Sequence, residues 1–160
     1  MARILYPGIS LACPTFVEKL YIPPDKIRTI FSSPLTIVQA PPNLVPIPRY
    51  LTIRREAGAA YTLGGGTTFV IRHKNLNGTT RNLISSLLTL TSFLNGTTEK
   101  NISRRAFFEN TSIDFPGTTT DSWGAALEIT TDGSSDPTGG DGGLDLRLIW
   151  EGLPKQIPWF

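Results

Sequence analysis

The scarcest residues in this chain narrow its function first. With one cysteine, Cys13, in 160 residues, an internal disulfide and a cysteine-built zinc site are both excluded. One histidine, His73, excludes a histidine-rich metal centre. Charged residues are 18 % of the chain, below the ~25 % usual for soluble domains, so a coiled coil or a charged helical bundle is excluded. No run approaches the ~18 consecutive apolar residues of a membrane-spanning helix, and no membrane is expected as a partner. The opening residues, Met1 to Gly8, lack the apolar stretch and small-residue cleavage site of a secretion signal.

What is abundant points to β structure. The chain holds 15 glycines, 13 prolines and twenty threonines. Threonine is β-branched and suits strands, while glycine and proline punctuate turns. Strands are expected at Leu35–Gln39, Tyr50–Arg55, Thr68–His73, Ser103–Phe108, Ser112–Phe115, Ala125–Thr131 and Leu144–Trp150. Two of them alternate clearly. Leu51, Ile53 and Arg55 oppose Tyr50, Thr52 and Arg54, and Leu144, Leu146, Leu148 and Trp150 oppose Asp145, Arg147 and Ile149. Pro46 and Pro48 suit a strand entry or an edge rather than a central strand. Gly64 to Gly66 reads as a turn, and Asp132 to Gly143 as a long Gly/Asp loop. Residues 81–94 are the helical candidate, because Leu83, Ile84, Leu87, Leu88 and Leu94 recur at helical spacing; a strand is the competing reading. Lys26 to Phe31 alternates only weakly. The expected fold is all-β, a β-sandwich or jelly roll of about eight strands. An extended arm over residues 1–24 precedes the domain at 25–153, and a short tail follows at 154–160.

Charge divides unevenly. Residues 1–81 carry ten Lys/Arg against three Asp/Glu (+7), and residues 82–160 carry five against ten (−5), which sums to the net +2. The basic residues are spread thinly and do not alternate with aromatics, so no nucleic-acid partner is expected. Solvated strand faces explain them most simply; a polar assembly surface is the sharper alternative.

Catalytic readings are weak. His73 ends a strand between Arg72 and Lys74, and no Gly-X-Ser-X-Gly elbow accompanies it. Cys13 reads as an inert thiol. The acidic pairs Asp114/Asp121, Glu128/Asp132 and Asp141/Asp145 would have to face each other for glycosidase chemistry. Asp132, Asp136, Asp141 and Asp145 are the conceivable calcium ligands, although acidic residues in glycine loops are ordinarily turn formers. No enzyme activity, metal or cofactor is expected. The aromatic tail is more suggestive. Trp159 and Phe160 lie beyond the last strand, and they either anchor in a neighbour or pack on their own domain.

Several segments resemble small virion structural proteins of tailed bacteriophages. The opening pattern is Ser33-Pro-Leu-Thr-Ile-Val38, Ala40-Pro41 and Ala57-Gly-Ala-Ala-Tyr-Thr62. The close is Ala125 to Thr130 followed by Asp136-Pro-Thr-Gly-Gly-Asp-Gly-Gly-Leu-Asp-Leu-Arg147, and the resemblance spans roughly residues 26–153. It implies a capsid decoration (cement) protein on the outer surface of the virion head, binding the major capsid protein and assembling as a homo-oligomer, with a trimer favoured over a dimer. The arm would then lie along the capsid floor or across a neighbour through Leu5, Tyr6, Phe16 and Tyr21, with Trp159 and Phe160 as the candidate anchors of the tail in a neighbour. The alternatives are a carbohydrate-binding adhesion module, whose tryptophans would stack on sugar rings, and a neck or tail component. Trp150, in phase with Leu146 and Leu148, is expected in the core.

Overall fold

A computed structural model describes residues 13–39, 44–66, 68–73, 81–89, 93–105 and 126–154. The described strands are β1 (Thr15–Ile22), β2 (Leu35–Val38), β3 (Leu44–Arg55), β4 (Tyr61–Thr62), β5 (Thr68–His73), β6 (Arg81–Thr89), β7 (Lys100–Arg105), β8 (Leu127–Thr131), β9 (Thr138–Gly139) and β10 (Leu144–Pro154), with one short helix, α1 (Pro24–Ile27). All recorded pairings are antiparallel. One four-stranded sheet has the order β1-β10-β3-β7, a second the order β2-β8-β5-β6, and β4 pairs with β9 apart from both.

The connectivity is that of a jelly roll. The pairs β5·β6, β3·β7, β2·β8 and β1·β10 nest inside one another like a single long hairpin. Rolling that hairpin adds the pairs β10·β3 and β8·β5, which close the two sheets. Between the sheets, Ile22, Leu51, Ile53, Phe69, Ile71, Leu127, Ile129, Leu144, Leu146, Leu148 and Trp150 form one buried cluster. The alternation read from β3 and β10 is the alternation of this core, and Trp150 is inside it at 4 % exposure.

Two expectations need correction, and one weakly patterned segment is resolved. Residues 81–94 do not begin as a helix: Arg81–Thr89 is β6, the hairpin partner of β5. Adjacent apolar pairs such as Leu83–Ile84 and Leu87–Leu88 cannot alternate along a regular strand, and the β5·β6 ladder is interrupted there twice. Each irregularity offsets the period by inserting unpaired residues, which imitates helical spacing. The arm also ends earlier than residue 24, because Thr15–Ile22 is an integral strand whose last residue is fully buried. Lys26 to Phe31 is not extended. Pro24 occupies the first helical position of α1, where its missing N–H costs nothing, and Ile27 and Ile30 drop into the core. The expected strand at Ser112–Phe115, Phe108 and Ala125 lie outside the described residues.

Pro46 and Pro48 fall inside β3, but β7 runs beside β3 only from Tyr50 to Arg55. Along its first half the neighbour of β3 among the described residues is β10, and a strand proline is tolerated where its missing N–H is not needed by the ladder. The register slips beside Arg49, which turns out to pair with Glu151 at 2.6 Å.

Candidate functional site

The residues expected to touch a partner divide three ways. Leu5, Tyr6, Trp159 and Phe160 lie outside the described residues. Phe16 and Tyr21 share β1 but differ in parity, so they lie on opposite faces. Phe16 faces inward, and its ring stacks on Trp150 with centroids 4.2 Å apart and planes 19° from parallel. That ring is engaged within its own sandwich rather than offered to a neighbour. Tyr21 faces outward at 49 % exposure and donates its hydroxyl proton to Glu56 Oε2 at 3.0 Å. This hydrogen bond raises the Tyr21 pKa, with desolvation and the Glu56 charge adding to it.

Three of the four acidic residues each fasten a different piece of backbone, and the fourth, Asp145, pairs with a side chain. Asp132 Oδ1 accepts from Thr68 N at 2.8 Å, and Asp136 Oδ1 accepts from Phe31 N at 2.8 Å and Ser32 N at 3.0 Å. Asp141 Oδ1 accepts from Ala59 N, and Asp145 pairs with Arg54 at 3.3 Å. Hydrogen bonding from Ser32 and then Phe31 holds the Asp136 carboxyl below its usual pKa. Among the described residues no group of three or more His, Cys, Asp or Glu converges as a metal site would require. Glu128, on β8, is occupied by a largely buried ion pair with Arg72. Cys13 is a half-buried free thiol.

The loop end of the sandwich is built around two buried polar side chains. Arg55 follows Leu51 and Ile53 onto the core side of β3 and has no exposed surface. Its guanidinium donates to the carbonyls of Thr98, Gly58 and Ala59, at 3.2, 3.3 and 2.8 Å. Tyr61, 2 % exposed, donates to the Gly142 carbonyl at 2.8 Å, and burial pushes its pKa up to about 12. The Tyr61 ring packs over Gly140, whose φ of +68° and lack of a side chain both make room for it. These groups tie residues 56–61, 94–98 and 140–143 together. None of them forms a nucleophile–base pair.

The surface with the character of a binding site is the outer face of the β1-β10-β3-β7 sheet. Register sets its side chains in rows. Val17, Ile149 and Tyr50 are cross-strand neighbours, and so are Lys19, Arg147 and Thr52, and then Tyr21, Asp145 and Arg54. Val17 is 47 % exposed and Tyr50 48 % exposed, so the apolar row lies open. By contrast, on the outward side of the other sheet Val70, Glu128 and Thr130 are buried. Alternation in β3 and β10 gave the outward residues of two strands. Their union into one row with Val17 depends on a strand register that sequence does not show. No protein-family model, no curated protein and no solved structure matches this chain.

Proposed function

We propose that the chain is a structural virion protein, a decoration (cement) protein that binds the major capsid protein on the outside of a tailed-phage head and bridges neighbouring subunits as a homo-oligomer, with a trimer favoured. The observation that carries this reading is an all-β jelly roll that leaves an apolar row open on one sheet. Jelly rolls recur in viral shells as well as in lectins. Cementing needs no chemistry; it needs several contacts shared among neighbours, so that internal pressure has to break many at once.

The chain ends add to the argument. β1 starts where β10 ends, with Thr15 opposite Glu151 and Gly152 N bonded to the Pro14 carbonyl at 3.0 Å. The start of β1 and the end of β10 therefore lie at one end of one sheet. Leu5, Tyr6, Trp159 and Phe160 are proposed as anchors. For the adhesion reading, Trp150 is unavailable because it lies under Phe16. The test is co-sedimentation of the purified chain with undecorated heads. Saturable binding at a fixed ratio to the capsid protein supports the proposal, and a chain that stays in the supernatant overturns it.

A further inference from the structure

Of the cations on or beside the open face, Arg105 sits opposite Tyr50 in register, and the four whose side chains are described are not equivalent. Arg49 is neutralised by Glu151, and Arg54 by Glu99 and Asp145. Lys19 and Arg147 are both exposed, and neither has a carboxylate partner among the described residues. They are also direct register partners on β1 and β10. Like charges placed opposite each other across an antiparallel pair destabilise it. The free protein thus keeps a repulsion that one outside carboxylate, set between the two cations, would turn into attraction. The apolar row of Val17, Ile149 and Tyr50 adjoins this pair.

We propose that this face docks on an acidic patch of the shell protein, with an apolar centre against Val17, Ile149 and Tyr50 and a carboxylate received by Lys19 and Arg147; this rests on the head-binding reading above. A second copy of the chain is the poorer occupant, since the same face would bring two more unpaired cations and only carboxylates that are already paired. Nucleic acid is also a poorer occupant, because Glu151, Asp145 and Glu99 flank the cations and interrupt any basic track. Size agrees with a repeated contact. Four strands about 4.8 Å apart and about eight residues long give a face of about 500 Å², short of the ~800 Å² per partner of a stable pair. Such a contact holds when many copies repeat it on one shell.

Lys19→Glu tests the inference because it moves two readouts in opposite directions. In the free protein it converts the repulsion to an ion pair with Arg147, so the Tm should rise by about 1–3 °C. On empty, nuclease-treated heads it should weaken binding at least tenfold, and the steep loss of wild-type binding with added salt should flatten. Lys19→Gln should fall between the two on both readouts. Undiminished head binding by Lys19→Glu, beside wild-type chain that binds, overturns the docking face and leaves the head-binding function standing. Wild-type chain that does not bind overturns both. A changed native mass of free Lys19→Glu with head binding intact assigns the face to copy–copy contact and overturns the proposal. Joint loss of Tm and of binding would mark Lys19 as structural and also overturn it.

Discussion

Arg55 lies on the core side of β3 with no exposed surface. Alternation puts it on the same side of its strand as Leu51 and Ile53, an improbable place for a cation. It is there, fully buried, because three backbone carbonyls accept its protons. Those carbonyls belong to loop residues, and their position is invisible in a linear sequence. Arg55→Met keeps most of the volume but orphans the three acceptors. It should destabilise the fold by about 2–4 kcal/mol, read as a lower urea midpoint with an unchanged slope. Tyr61 gives a pH signature. Burial raises its folded pKa from the usual tyrosine value to about 12, so the neutral hydroxyl is favoured in the folded state. The corresponding stability is fully present below about pH 10 and is lost as pH rises toward 12. Melting temperatures across that window should fall more steeply for the wild type than for Tyr61→Phe.

Among the elements, legibility followed the cleanliness of the two-residue period. β10 and the second half of β3 were readable because their inward residues are apolar and most of their outward ones polar. β1 was missed because Val17 and Tyr21 put apolar residues on its outward side too, which blurs the period and makes the segment read as an arm. The same exposed residues now belong to the candidate docking face, so what hid the strand is what marks the surface. β6 was missed for a different reason: ladder irregularities offset its period. Glu18, on the inward side of edge strand β1, places a charge that discourages pairing with a foreign strand. Because β1 is integral, truncations should separate sharply. Removing residues 1–12 should leave Tm within a few degrees of wild type, while removing residues 1–22 uncovers β10 and takes Ile22 and Phe16 from the core, so soluble folded chain should be lost. Circular dichroism melts of the two truncations check this.

At the scale of the whole molecule, nested pairing means that β1 and β10, the first and last of the described strands, must meet for the β1-β10-β3-β7 sheet to be complete. Such non-local topology folds slowly. The all-β class was legible from composition and turn signals alone. The sheet order was not, since nothing in the residues between two strands states which sheet the next one joins. The candidate docking face inherits that limit, because its rows exist only through register. The most direct test of the central claim is sedimentation of the full chain with undecorated heads, with the native mass of the free protein measured alongside. The account predicts saturable, salt-sensitive binding at a fixed ratio to the capsid protein by a symmetric oligomer. A monomer that remains in the supernatant with heads in excess would contradict it.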